Sequence, residues 1–131
     1  GTTDYAVDIY YKAVSDKNYE CFLAEDTSLP MMYMEDAIRA TVELMQADKE
    51  KISIRSSYNL AGISFSPKEI AASIKKEIPA FEISCNPDFR QGIAESWPNS
   101  IDDKKAQEDW GWKIKYDLDA MTKDMLANIK V

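Results

Sequence analysis

Few residues in this chain can do chemistry, and the missing types restrict the reactions more than those present. There is no histidine among the 131 residues, which removes any imidazole base, acid or metal ligand. The cysteines, Cys21 and Cys85, lack C-x-x-C spacing and sit among apolar neighbours. No structural zinc site is expected from them; one disulfide is open in principle, but reduced, buried thiols are the expectation. Acidic pairs such as Glu25-Asp26, Glu35-Asp36 and Asp102-Asp103 read as solvated loop or helix-start residues rather than a catalytic dyad. None of the 7 tyrosines is followed four residues later by lysine, and GxGxxG, GxxxxGK[ST] and GxSxG are all absent. The 6 methionines read as core filler rather than metal ligands.

Two places carry binding chemistry. Gly1-Thr2-Thr3-Asp4 puts free amides and two hydroxyls at the start of a helix, a cradle for a small carboxylate, although simple capping is the commoner use of such residues. Arg90 and Trp97 fall in a stretch without a clean period, where binding residues concentrate; the alternatives are a surface ion pair and a packing aromatic.

The elements that must position these residues follow from periodicity. Ala6, Ile9, Tyr10, Ala13 and Val14 form one apolar helical face, with Thr2 or Thr3 as cap and Asp4 in the first turn. Tyr19 to Leu23 reads as a strand, Met31 to Met34 as a short extended run. A helix is expected from Glu35 to about Ala47, its apolar stripe Met34, Ala37, Ile38, Val42 and Met45. Ser56 to Leu60 reads as a strand. Ser66-Pro67-Lys68-Glu69 is a capping box with proline at the first helical position, and Phe65 and Ile70 suit a hydrophobic staple. Ile70, Ala71, Ile74 and Ile78 face inward, and Pro79 ends that helix. Phe81, Ile83 and Cys85 alternate as a strand. Ser100 is the expected cap of a short helix closed by Gly111, and a last helix from about Asp117 carries Leu118, Met121, Met125, Leu126 and Ile129 inward. The result is a mixed α/β chain of helices with short strands.

Composition bounds the partners. Hydrophobic residues make up 45% and charged residues 30%, a globular mixture, while 16 Lys+Arg against 23 Asp+Glu leave a net charge of −7. That balance disfavours nucleic acid and anionic membrane surfaces and favours solubility. No apolar run approaches a membrane span. The start at Gly-Thr-Thr-Asp, with no initiator Met and no signal-like core, reads as a chain cut from something longer.

An ordered set of short segments then resembles a known family. It comprises Gly1 to Tyr11, Leu29-Pro30-Met31-Met32-Tyr33-Met34, Asp36 to Thr41, Tyr58-Asn59-Leu60, Asp88-Phe89-Arg90-Gln91, Ser96-Trp97-Pro98 and Trp110-Gly111-Trp112. Together they are similar to the C-terminal part of the short-chain type of L-threonine 3-dehydrogenases, within the extended NAD-dependent epimerase/dehydratase family. The resemblance covers essentially the whole chain and implies a substrate-binding C-terminal domain over residues 1–131. The Rossmann core, its glycine-rich NAD loop and the Tyr-xxx-Lys pair would all precede Gly1. NAD would therefore be bound mainly by that absent N-terminal domain, and no catalytic residue would lie in this chain. In the parent enzyme the Tyr takes a proton from the threonine β-hydroxyl while hydride passes to NAD, giving 2-amino-3-oxobutanoate.

The resemblance further implies that Thr2 and Thr3 meet polar groups of the substrate, that Asp4 orders the turn or faces the ammonium, and that Trp97 closes the pocket. It implies a cytoplasmic homodimer as the parent, and a segment that is inactive alone. Such folds join the strand equivalent to Ser57–Leu60 to the Rossmann sheet, so this segment alone would show an unpaired strand and an apolar face. Nucleotide-sugar epimerases of the family clamp a diphosphate with an arginine just before the strand at Met31. Leu29 stands there, while Arg90 resembles a second clamp. A fragment of such an epimerase or dehydratase, and a stand-alone small-ligand or protein-binding module, are the competing readings.

Overall fold

A computed structural model describes residues 4–129. It begins with α1 (Tyr5–Ser15), β1 (Asn18–Cys21), β2 (Leu29–Met31), α2 (Met34–Gln46) and β3 (Ile63–Phe65). It continues with α3 (Pro67–Glu77), β4 (Glu82–Cys85), α4 (Arg90–Glu95), α5 (Lys104–Trp110) and α6 (Leu118–Asn128). The class is mixed α/β, rich in helix with few short strands. β1 pairs parallel with β4, and β2 pairs antiparallel with β3. No helix is long and apolar enough to cross a membrane among the described residues.

The main core sits where α1, α3 and α6 pack on the β1–β4 ribbon. Ile9, Ala13, Cys21, Ile70, Ile74 and Phe81 are fully buried there. Between the three helices a polar knot joins the Tyr10 hydroxyl, Thr122 Oγ1 and Ser73 Oγ, with spacings of 2.9 Å between Tyr10 and Thr122 and 2.9 Å between Ser73 and Thr122. Ser73 also donates to Asp119, so these buried hydroxyls are satisfied.

The capping box of α3 forms as the sequence predicts: Glu69 N–H donates to Ser66 Oγ and Ser66 N–H to Glu69 Oε1, each at 3.3 Å, with Pro67 opening the helix. Ser66→Ala should cost about 1 kcal/mol, read as a lowered urea midpoint at unchanged m. Gly111, at φ 72°, terminates α5 in the left-handed conformation that glycine adopts without strain. Gly62 has a different reason. A Cβ there would lie 2.4 Å from the Met31 carbonyl oxygen, so only glycine lets the chain enter β3 against β2.

Several expectations are corrected. Asp4 is the N-cap of α1 rather than a first-turn residue; its Oδ1 accepts from Ala6 N–H at 3.0 Å. The residues expected to cap that helix, Thr2 and Thr3, lie outside the described residues. Ser100 caps nothing: α5 starts at Lys104, where Asp102 accepts from the Lys104 N–H at 3.0 Å. Ser56 to Leu60 forms no strand, because no described strand lies alongside it; the strand forms instead at Ile63–Phe65, opposite β2.

The apolar stripe of α2 faces outward: Met34 is 67% exposed, Ile38 58%, Val42 44% and Met45 80%. The buried face is Asp36 and Ala40. Asp36 accepts from the backbone N–H groups of Lys115 and Tyr116 at 3.1 and 3.0 Å and from Arg39 at 3.0 Å. Arg39 in turn donates to Glu43 and to the Lys113 carbonyl and lies 4.8 Å from the Trp112 ring centre. Ala40, Ala106 and Trp112 form a second, small core around this anchor. A carboxylate that satisfies two backbone donors and a guanidinium decides which face turns inward, and the apolar stripe is left facing out.

Candidate functional site

The site forms where the ends of β1 and β4 deliver their following loops to the start of α1. Asp88 N–H donates to the Phe22 carbonyl at 3.2 Å, which carries the β1–β4 pairing into the two loops. Between them opens a pocket of about 210 Å³. Its walls are Tyr5, Phe22, Leu23, Leu29, Met31, Ile93 and Ala94, and its polar rim is Asp4 and Arg90, with Trp97 at the mouth. A concave, mainly apolar space with a few convergent polar groups suits a small organic ligand. A larger trough of about 830 Å³ runs from the end of α2 to α5, past Glu43, Asp48, Lys51 and Glu108. It is open and gathers none of the candidate residues.

Three of the five residues singled out in the sequence, Asp4, Arg90 and Trp97, meet at this one pocket. Thr2 and Thr3 lie outside the described residues. Arg90 opens α4, and its guanidinium lies 3.5 Å from the Phe22 ring centre. Its Nε donates to both Asp88 oxygens at 3.1 Å and its Nη2 to Oδ2 at 2.5 Å. This contact holds the Asp88 carboxyl below the usual carboxylate range and the guanidinium above its own. One edge and one face of Arg90 are thus committed, and Nη1 makes no hydrogen bond among the described residues. Trp97, two residues past α4, is held by its own N–H to the Ala94 carbonyl at 3.1 Å, and its side chain is 56% exposed.

The sequence reading missed Phe22 and Leu23 as pocket walls, since strand-like apolar residues read as core; Leu29, singled out in the sequence just before the strand at Met31, does line the pocket. It also missed α4. The i, i+4, i+8 spacing of Phe89, Ile93 and Trp97 was the available signal.

Tyr5 is the phenol among the described residues that line the pocket. Burial pushes the Tyr5 phenol far above its ordinary value, and its hydroxyl is buried without a partner among the described residues. Burial also raises Tyr10, to about 12, and Tyr19 and Tyr33 likewise, so these phenols stay protonated at neutral pH. Cys21 and Cys85 are register partners across β1 and β4, yet both are free thiols, and burial pushes Cys21 up to about 11. No group of three or more acidic or sulfur ligands placed to hold a metal ion occurs among the described residues.

No protein-family model matches the chain. The fold is shared with GalE-like enzymes: the apo structure of the GalE-like L-threonine dehydrogenase from Cupriavidus necator superposes with a TM-score of 0.93 at 60% identity, over 99% of this chain and 47% of that one. L-threonine 3-dehydrogenase, mitochondrial, from Bos taurus is 47% identical over 127 residues, 96% of this chain and 34% of that protein. An uncharacterized epimerase/dehydratase from Staphylococcus saprophyticus is 50% identical over 131 residues, 99% of this chain and 41% of that protein. The chain belongs to the L-threonine 3-dehydrogenase and epimerase/dehydratase family, as a C-terminal segment of such proteins. It spans less than half the length of the relatives it matches.

Proposed function

We propose that this chain is the substrate-binding portion of an NAD-dependent L-threonine 3-dehydrogenase, whose whole protein oxidises the threonine β-hydroxyl to 2-amino-3-oxobutanoate. The observation that carries the reading is the pocket on which Asp4, Arg90 and Trp97 converge, in a chain 60% identical to a threonine dehydrogenase over 99% of its length. Its size suits an amino acid. The Nη1 of Arg90, without a hydrogen bond among the described residues, would donate to the carboxylate and Asp4 would set a counter-charge to the ammonium, while Thr2 and Thr3 would add amides and hydroxyls. Trp97 would exclude water.

The described residues do not fit a dinucleotide, since they contain no glycine-rich turn from strand to helix. NAD would be held by an N-terminal Rossmann domain of the parent chain, and the 131 residues alone would be inactive. That domain would dock on the exposed stripe of α2, and residues 57–60, which lie in no strand among the described residues, would join its sheet. A homodimeric parent in a reducing cytoplasm completes the reading, and two unpaired thiols are in keeping with it.

A nucleotide-sugar epimerase or dehydratase is the second reading, favoured by the name of the staphylococcal relative and by Arg90. Against it, Leu29 is only 8% exposed and presents an apolar wall beside the pocket. The test is threonine-dependent NADH formation by the full-length parent. Formation of NADH is the expected result. Turnover of a UDP-sugar without reduction of NAD by threonine would overturn the reading, and a gene that starts at Gly1 would point to a stand-alone binding module.

A further inference from the structure

We propose that Gln91 is the positioning residue of the pocket, the latch that sets one wall against the other. The pocket lies between two pieces of chain. One is the loop leaving β1, which carries Phe22 and Leu23 and leads to Leu29; the other is α4, which carries Arg90, Ile93 and Ala94 and leads to Trp97. α4 has 6 residues and no side-chain cap, and buries only Ala94. A helix that short does not hold its own orientation, so contacts outside it must.

Gln91 supplies them. Its Oε1 accepts from the Ala24 N–H at 2.8 Å and lies 3.3 Å from Thr27 Oγ1, while its Nε2 donates to Thr27 Oγ1 at 2.9 Å and to Glu95 at 3.0 Å. One amide therefore grips the opposite loop at two residues and braces its own helix one turn on. The other ties between the walls, Asp88 N–H to the Phe22 carbonyl and Arg90 over Phe22, sit at the root of α4, and the buried Ala94 is what seats its far end in the core. The far end is where Ile93 and Trp97 meet the pocket. The Ala24 N–H is half-buried and would lose its acceptor if the latch opened.

The proposal rests on the reading of this pocket as the substrate site, and its test is built to fail separately from that reading. In the full-length parent, Gln91→Met keeps the side-chain length and removes every one of these hydrogen bonds. The Michaelis constant for threonine should rise about five- to tenfold, the loss expected for one or two hydrogen bonds that orient a site, with that for NAD unchanged within about twofold. Thr27→Val should give a smaller rise, and the double variant should not exceed Gln91→Met alone, because both cut the same latch. If the parent acts on a different substrate, that substrate's Michaelis constant is the readout. A Gln91→Met enzyme with a lowered melting temperature but an unchanged substrate Michaelis constant would overturn the proposal and leave Gln91 a packing residue.

Discussion

Asp36→Ala is expected to destabilise the chain by about 3 kcal/mol, because it strips the acceptor from two backbone donors and an arginine at once. The carboxylate is 1% exposed and receives the N–H groups of Lys115 and Tyr116 as well as the Arg39 guanidinium. Charge-assisted bonds of this kind are each stronger than a neutral pair, and the donors left behind cannot all turn to water. Arg39 keeps Glu43 and the Lys113 carbonyl, so the loss stays below that of a wholly orphaned ion pair. Asp36→Asn should fall between: one side of the amide can still accept, but its NH2 would face a backbone donor. Urea unfolding with unchanged m is the measurement. A loss below about 1 kcal/mol for the alanine variant would remove Asp36 as the anchor of α2.

Trp97→Ala, in the full-length parent, is expected to raise the Michaelis constant for threonine about tenfold while moving that for NAD by less than twofold. The indole stands at the mouth of the pocket and is 56% exposed, so its removal takes away a wall of the site and little of the core. A tenfold change corresponds to about 1.4 kcal/mol, within reach of the contact area a tryptophan offers a small ligand. The melting temperature should hardly move for the same reason. Equal rises for threonine and NAD would reduce Trp97 to a packing residue.

How far these features could be read without a structure depends on the range of the interactions that make them. The capping box at Ser66 and Glu69, Pro67 at the first helical position and Gly111 at the end of α5 are decided within a turn of helix, and they stand where the sequence places them. So do the inward face of α1 and the alternation of β4. The stripe of α2 is equally clear as a pattern, but the pattern leaves its surroundings open. Periodicity reports that Met34, Ile38, Val42 and Met45 share a face; it does not report what that face meets. Ser56 to Leu60 failed as a strand for a related reason, since a strand is completed by the edge beside it.

The site divides along the same line. Asp4, Arg90 and Trp97 were legible as residue types suited to binding. That they share one pocket follows from the parallel pairing of β1 with β4, which joins positions more than sixty residues apart. Phe22, Leu23 and Gln91 were invisible as site residues because an aromatic, an aliphatic and an amide mean nothing by type alone. The sequence by itself determined the local stops and starts, the mixed α/β class, the family resemblance and the absence of an imidazole, all of which depend on neighbours a few residues away or on composition. Only the tertiary structure decided which face of α2 turns inward and which loops wall the pocket. Those outcomes depend on long-range competition for buried hydrogen-bond partners, and Asp36 and Gln91 each settle one of them with partners more than sixty residues distant in the chain.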